Sequence, residues 1–256
     1  MKEAPSWQYN EFRQVGTDYD DPAQVEAYDT RHAQFRDIDA ECSETLDRLG
    51  VTPQSALIEM GTGTGTLAIH AARRCATVYA IDVSRQMLEF ARQKAVGAGL
   101  GNIVFCHGGF LTYDHAYGPV DAMATGMAFH HLPDFWKGIA LRRMNNMLKL
   151  GGQLYINDVI FEDTNVAANI SRWITHLAEI GGTKLGDEVA THVREEYSTF
   201  DWIMDGLLTR AGFKIQSKEI LEGVIGKYLC VKESEAAQPS PAAYPDRRAN
   251  ASSGSA

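Results

Sequence analysis

The sequence predicts an α/β fold: a doubly wound, mostly parallel seven-stranded sheet that ends in an antiparallel hairpin. Between residues 53 and 161, short apolar runs alternate with amphipathic helical patterns, which is typical of a parallel sheet covered by helices on both faces. Two further apolar runs, 213–221 and 224–231, are separated by too few residues for a crossover helix. They should therefore pair as an antiparallel hairpin.

The elements follow in a regular order. The first five strands are expected at 56–60, 77–81, 103–106, 121–125 and 153–161. Ser84 is a suitable N-cap for the helix after the second strand, and Met87, Leu88, Ala91 and Ala95 recur on one face of it. Asp134 is expected to cap a helix over 135–149 that ends at Gly151 and Gly152. A helix over 200–210 precedes the hairpin.

Three segments are expected along the chain. Residues 1–52 form an N-terminal helical lid or cap, in which Val25, Tyr28, His32 and Phe35 recur at helical intervals. Residues 53–233 form the core, with a mostly helical insertion at about 162–198 that lines a ligand pocket or makes a dimer contact. Residues 234–256 lack large aliphatic side chains and are expected to form a disordered tail.

Composition argues against several classes of protein and site. A net charge of -9 with scattered Arg and Lys disfavours nucleic acid as a partner, because phosphate binding needs a basic patch. The four cysteines are far apart, which argues against a disulfide framework or a zinc cluster, and we expect no metal site. There is no signal-peptide pattern and no apolar run long enough for a membrane span. We expect a cytoplasmic protein, as a monomer or homodimer.

The strongest motif is a glycine-rich turn at residues 61–65, between the first strand and the next helix. Glycine is needed where the backbone turns sharply and a ligand approaches closely. The turn could be read as a G-x-G-x-x-G dinucleotide fingerprint, but Thr66 occupies the position of the last glycine. Asp82 ends the next strand, where a carboxylate can accept hydrogen bonds from a ribose diol. The alternative for Asp82 is a carboxylate that stabilises a helix N-terminus.

These motifs, together with the fourth strand and the Leu148 to Gly152 segment, resemble those of class I S-adenosylmethionine-dependent methyltransferases of the small-molecule type. The resemblance covers about residues 53–232. It implies S-adenosylmethionine as cofactor, S-adenosylhomocysteine as product and a small-molecule methyl acceptor. The cofactor-binding residues that it implies, together with positions beside them in the sequence, are Glu59, Gly61, Thr62, Gly63, Gly65, Asp82, Val83, Met87, Gly109, Phe110 and Thr125.

One departure from the family concerns adenine. Many members carry an acid after the third strand that contacts the adenine amine, and here Gly109 stands in its place. Backbone atoms and packing against Phe110 are then expected to hold the ring. The family also often has proline where this chain has Leu150.

Three residues are candidates for contact with the reacting groups. His130 and His131 follow the fourth strand at the ligand-binding edge of the sheet, and one of them could act as a base or orient the acceptor. The alternative is that His130 contacts the methionine end of the cofactor and His131 is a solvated loop residue. Tyr28 of the lid could touch the substrate. An RNA or protein methyltransferase, an NAD-dependent oxidoreductase and a non-catalytic cofactor binder are the competing functions.

Overall fold

The computed structural model describes residues 5–13, 25, 29 and 37–236. Their helices and strands follow the predicted alternation. They are α1 Ile38–Arg48, β1 Ala56–Met60, α2 Thr66–Ala72, β2 Thr77–Asp82, α3 Arg85–Gly97, β3 Ile103–His107, β4 Val120–Gly126, a 3-10 helix Phe129–His131, α4 Asp134–Met147, β5 Leu148–Phe161, α5 Val166–Gly181, α6 Thr183–Glu195, β6 Thr199–Phe200, α7 Asp201–Arg210, β7 Phe213–Leu221 and β8 Ile225–Lys232.

The strands form one sheet in the order β3-β2-β1-β4-β5-β8-β7, and the short strand β6 pairs with the end of β5. Strands β1 to β5 are mutually parallel, whereas β8 runs antiparallel to both β5 and β7. The predicted fold class is thereby confirmed, including the terminal hairpin and the helical insertion after β5. The hairpin returns so that β8, the last strand within the described residues, lies inside the sheet between β5 and β7.

The core has two layers because successive strand residues point to opposite faces of the sheet. In β1, Leu57 packs into a cluster with Leu46 of α1 and Ala68 of α2. The next residue, Ile58, packs into the opposite cluster, which includes residues of α4 and α7. Both faces of the central strands are buried, so these strands carry apolar residues at nearly every position.

Local expectations hold at α3 and fail at α4. The Ser84 hydroxyl caps α3 by accepting a hydrogen bond from the Met87 amide at 3.1 Å. Asp134 does not cap α4: it is the first residue of the helix, and Pro133 precedes it. The helix ends at Met147, before the glycines, and Gly151 and Gly152 lie inside β5 where its register against β4 shifts. Glycine is thus used here for a strand irregularity.

The flanking segments are described in part. The expected insertion contains α5 and α6. In the expected tail, Ser234 and Glu235 are exposed, whereas Ala236 is buried and its amide donates to Asn145 Oδ1 at 3.1 Å. The lid residue Tyr28 lies outside the described residues, as do Tyr19 and residues 237–256. Over the described ranges, no helix has the length and apolar character needed to cross a membrane.

Candidate functional site

A cavity lies at the carboxyl ends of β1, β2 and β4. Because the three strands are parallel neighbours, their last residues meet at one edge of the sheet, where open α/β folds bind ligands. The walls come from these strand ends and from the loops that follow them. Helix α1, the N-terminal segment 5–13 and residues 196–197 after α6 also contribute to the wall.

The glycine-rich turn forms one side of this cavity. The amides of Gly61 and Thr62 both donate to the Ile81 carbonyl at 2.9 Å, which holds the turn against the end of β2. Gly61, Gly63 and Gly65 all have positive φ, a conformation that strains other residues. Gly65 does not line the cavity: a Cβ there would lie 2.7 Å from the Cβ of Ala91, so this glycine allows α3 to pack closely on the turn.

Asp82 connects the turn to the next loop. Its Oδ2 accepts a hydrogen bond from the Gly63 amide at 2.7 Å, and its Oδ1 accepts one from the Ser84 amide at 2.8 Å. The side chain is buried at the cavity wall, with 8% of its surface exposed. A carboxylate oxygen can accept more than one hydrogen bond, so these backbone contacts position Asp82 without exhausting its acceptor capacity.

Glu59 lies at the base of the same cavity. The Thr62 hydroxyl donates to its Oε2 at 2.6 Å, and only 5% of the residue is exposed. Burial raises the pKa of Glu59, the Thr62 hydrogen bond opposes this effect and the charge of Asp82 adds to it, and the resulting pKa is about 8. In the ligand-free protein Glu59 therefore holds its proton well above the ordinary range of a glutamate.

The opposite wall contains Val83, Met87, Gly109 and Phe110. A carboxylate also lies there, but it comes from Glu11, far away in the sequence. A Cβ on Gly109 would approach the Glu11 Cδ to 2.5 Å and a Val83 methyl group to 2.8 Å, so the missing side chain makes room for Glu11. Phe110 packs edge-to-face against Phe129 in the core, with ring centroids 5.0 Å apart.

The N-terminal segment 5–13 is fastened at two points. The Tyr9 hydroxyl donates to the His131 carbonyl at 3.2 Å. The Glu11 carboxylate accepts from the Leu111 amide at 3.0 Å and from the Thr112 hydroxyl at 2.7 Å. Burial raises the pKa of Glu11, an effect that these donors oppose. The sequence contained no pattern that would have placed Glu11 at this wall.

Two neighbouring strands each present to the cavity wall a buried polar atom that has no hydrogen-bond partner within the described residues. The two atoms are the hydroxyl of Thr125 at the end of β4 and the side-chain oxygen of Asn157 on the neighbouring strand β5. Leaving a buried polar atom unsatisfied costs about 1–3 kcal/mol, so such atoms usually have a partner. Both atoms belong to residues that face the cavity, where a ligand can satisfy them.

The two candidate histidines have different surroundings. His131 lines the cavity, whereas His130 is buried behind the wall. The Nδ1 of His130 lies 2.5 Å from Asp158 Oδ1, and its Nε2 lies 3.1 Å from Glu196 Oε2. Asp158 also accepts from the Phe129 amide at 2.6 Å, which orients the 3-10 helix. His130 is thus held between two acids from β5 and from the end of α6.

The close pairing of these histidines and carboxylates shifts their pKa values. Burial lowers the pKa of His130, but the two carboxylates outweigh it and raise that pKa to about 9. Burial alone would raise the pKa of Asp158, but its pairing with His130 holds that pKa at about 2. The pKa of Glu196 is also lowered, because its interactions with His130 and His192 exceed the cost of burial. Burial and the charge of His130 lower the pKa of His131 to about 4.

The cavity thus collects most of the predicted residues. All of the expected cofactor-binding residues except Gly65 line it, and so does His131. His130 does not line it, and Tyr28 lies outside the described residues. Their roles toward a ligand stay predictions. The residues that sequence reasoning missed are Tyr9, Glu11, Asn157, Glu196 and Tyr197, which line the cavity, and Asp158 and His192, which lie behind it.

Comparison with known proteins agrees with this geometry. A family model described as a methyltransferase domain matches residues 57–152. An uncharacterized methyltransferase of Geobacillus sp. (strain WCH70) is 31% identical over 192 residues, which cover 75% of this chain and 83% of the relative. Another, from Geobacillus kaustophilus, is also 31% identical and is covered over 86% of its length.

Solved structures share the fold. A methyltransferase from Aquifex aeolicus described as SAM dependent superimposes with a TM-score of 0.58 at 19% identity, covering 83% of this chain and 98% of that one. The predicted methyltransferase family is confirmed by these matches. The chain therefore belongs to the methyltransferase family, and its fold is that of the class I S-adenosylmethionine-dependent enzymes.

Proposed function

We propose that this protein transfers a methyl group from S-adenosylmethionine to a small-molecule acceptor in the cavity at the carboxyl edge of the sheet. One observation carries the proposal: the glycine-rich turn, Glu59 and Asp82 meet in a single cavity, as binding of this cofactor requires. The widely spaced cysteines fit a reducing compartment, and we propose that the reaction takes place in the cytoplasm.

Each part of the cofactor has a matching part of the wall. Asp82 would accept hydrogen bonds from the ribose hydroxyls, and Glu59 would face the methionine amino group. The backbone of the turn leaves space for the methionine portion at Gly63, where nothing lies within 4 Å of an added Cβ. Val83 and Met87 would flank adenine.

We propose that Glu11 replaces the acid that the family usually carries after the third strand. Its carboxylate occupies the space over Gly109 and lines the cavity beside Val83. The hydrogen bonds from Leu111 and Thr112 fix its position from the side of the loop. A carboxylate held there can accept a hydrogen bond from the exocyclic amine of adenine. The ring would then be held by more than backbone atoms and packing.

Small acceptors fit the enclosure better than large ones. The cavity is bounded by α1, by segment 5–13 and by Glu196 and Tyr197 after the insertion, so a bulky polymer has little access. The net charge of -9 opposes binding of nucleic acid. The polar atoms of Thr125 and Asn157, with His131, would orient the acceptor on the side away from adenine.

Methyl transfer depends mainly on how the protein positions the methyl donor and the acceptor. When bound, the sulfonium of the cofactor supplies an already activated methyl group that an acceptor atom attacks in line. The walls of the cavity hold donor and acceptor in contact and limit the access of water. A base is needed only for an acceptor that must lose a proton. Of the two histidines that were predicted as bases, His131 lines the cavity and would serve that step.

Calorimetric titration with S-adenosylmethionine tests the first part of the proposal. Asp82→Ala should weaken binding by roughly 10- to 150-fold, the equivalent of about 1.5–3 kcal/mol for lost hydrogen bonds to a charged group. Asp187→Ala, which removes an exposed carboxylate of α6, is the matched control and should bind normally. Tight binding of NAD instead of S-adenosylmethionine by the unaltered protein would contradict the assignment.

Turnover is tested separately. The protein should release S-adenosylhomocysteine when it is supplied with the cofactor and a panel of small thiols, phenols and amines. A protein that binds the cofactor but methylates none of these, while it modifies RNA or a protein substrate, would overturn the small-molecule assignment. The mass of the product identifies which acceptor gained the methyl group, and NMR of that product locates the methylated atom.

A further inference from the structure

Two histidines and a glutamate converge beside the cavity, at the junction of the 3-10 helix and the end of α6. His192 Nδ1 lies 2.6 Å from Glu196 Oε2, and His130 Nε2 lies 3.1 Å from the same oxygen. The three ligand-type atoms all lie within 4.8 Å of one another. His131 Nδ1 is 3.8 Å from that oxygen, so a third imidazole faces the group.

In His130 and His192, the ring nitrogen that points away from Glu196 lies next to a hydrogen-bond acceptor. His130 Nδ1 is 2.5 Å from Asp158 Oδ1, and His192 Nε2 is 2.8 Å from the Ser198 hydroxyl. When the outward nitrogens donate to these acceptors, each ring points a lone pair inward. Histidines that bind metals are held in this manner, with the second nitrogen donating to a carboxylate or another oxygen.

Glu196 completes the convergence. Its Oε2 atom is buried and makes no hydrogen bond of good geometry within the described part of the chain, although three ring nitrogens lie within 3.8 Å of it. A bound cation would interact with this oxygen and with the inward nitrogens at the same time. Imidazole nitrogens combined with one carboxylate are typical ligands of Zn²⁺ and Fe²⁺, whereas Mg²⁺ and Ca²⁺ prefer oxygen.

We propose that His130, His192 and Glu196 bind a divalent first-row transition metal ion, with Asp158 and Ser198 orienting the two rings. Glu196 and His131 also line the cavity, so the ion would lie at its wall, next to the expected acceptor side. The inference goes beyond methyl transfer and does not depend on it. It departs from the expectation of no metal site, which rested on the cysteines. The competing arrangement is a metal-free network of charged histidine and carboxylates.

Zinc titration of the tag-free, chelator-treated protein tests the site. Calorimetry should show one Zn²⁺ per chain with a Kd in the micromolar range or below. His192→Ala and Glu196→Gln should each weaken binding at least 100-fold, and Asp158→Asn should weaken it by about 10- to 100-fold. His176→Ala removes an exposed histidine of α5 and is the matched control, which should bind as the unaltered protein does.

Cobalt provides a second readout. Co²⁺ bound by these ligands should give visible d–d absorption bands that Zn²⁺ abolishes by competition. The Glu196→Gln side chain keeps its shape, and circular dichroism establishes whether each variant folds. Absence of stoichiometric Zn²⁺ and Co²⁺ binding by the unaltered protein would overturn the proposal, as would equal binding by folded Glu196→Gln. Titration with S-adenosylmethionine, read separately, reports on the proposed function alone.

Discussion

At the scale of single residues, the wall that we propose binds adenine includes one carboxylate from far away in the chain. Glu11 occupies the space that Gly109 leaves open, and its neighbours Leu111 and Thr112 hold it there. Position 109, where the family usually has an acid, is glycine here, and the carboxylate of Glu11 occupies the space beside it. The two positions are coupled sterically, because a side chain at position 109 would collide with the carboxylate of Glu11.

Glu11→Gln should weaken S-adenosylhomocysteine binding by roughly tenfold, because a charge-assisted hydrogen bond to the adenine amine contributes about 1.5 kcal/mol or more. The variant should also discriminate less against the inosine analogue, which lacks that amine. Calorimetry with both ligands measures the two effects. Glu195→Gln, at an exposed acid of α6, serves as control. Unchanged discrimination in Glu11→Gln would remove Glu11 from the adenine contact.

The raised pKa of Glu59 predicts that the free energy of unfolding depends on pH. Its folded pKa of about 8 lies above the ordinary 4.5, so the ligand-free fold favours the protonated form. The stabilisation is complete below pH 4.5 and is lost as the pH rises through about 8. Glu59→Gln cannot ionise, so its unfolding free energy should increase relative to the unaltered protein, by several kcal/mol, between those limits. Urea unfolding of both proteins across that range measures the difference, and parallel curves would refute the shift.

The same carboxyl group links the pH to cofactor binding. The cofactor's amino group favours ionised Glu59, whereas the ligand-free protein keeps it protonated at neutral pH. Binding should therefore release a proton below pH 8, and the affinity should rise with pH in that range. Calorimetry in buffers of different ionisation enthalpy detects the proton, and Glu59→Gln should abolish its release.

At the scale of elements, the glycine-rich turn has a structural as well as a binding function. Gly61 and Gly63 face the cavity, whereas Gly65 faces α3 and sets the distance between that helix and the turn. The position of Asp82 depends on this packing, because the Gly63 amide donates to its carboxylate. The turn and α3 therefore form one unit that positions the ribose site.

Gly65→Ala should destabilise the fold by about 1–3 kcal/mol more than Gly99→Ala. Both glycines have similar positive φ, 76° and 70°, but only at Gly65 would the new methyl group meet Ala91. Comparing the two variants by urea unfolding separates the steric clash from backbone strain. Ala91→Gly in the Gly65→Ala background should recover part of the loss. Equal destabilisation at both positions would exclude the packing explanation.

At the scale of the whole molecule, the cavity is assembled from the sheet edge and from segments before and after it. Segment 5–13 spans from the His131 carbonyl to the Leu111 amide. Asp29 accepts from the Thr64 hydroxyl and from Lys94, so this part of the N-terminal region also contacts the glycine-rich turn. A ligand in the cavity would contact several of these parts together.

Ligand binding should consequently stabilise the entire fold. S-Adenosylmethionine at 100 times its Kd should raise the unfolding free energy by about 2.7 kcal/mol. Asp82→Ala at the same ligand concentration should gain far less, since its Kd is higher. Urea unfolding with and without the cofactor measures both values. A similar gain in Asp82→Ala would indicate binding outside the cavity.

Local sequence patterns predicted the succession of strands and helices up to β5, the glycine-rich turn and the position of Asp82 at the end of β2. These features are local: apolar periodicity predicts each strand and helix, and a turn is specified by the glycines within it. Because parallel strands place their carboxyl ends at one edge, local predictions were enough to place Glu59, the glycine-rich turn and Asp82 near one another. The end of α4 was less predictable, since Gly151 and Gly152 are equally suited to a helix stop or a strand irregularity.

Only the tertiary structure decided the position of the other carboxylates. Glu11 reaches the loop at Leu111, and Glu196 reaches His130, across long stretches of chain. No periodicity or turn signal connects such residues, because their contact depends on how whole elements pack. The tertiary structure also placed His130 behind the wall and His131 in it, although the two are neighbours in sequence. Adjacent side chains of a 3-10 helix point in different directions. How this helix packs on the sheet decides which of the two histidines faces the cavity.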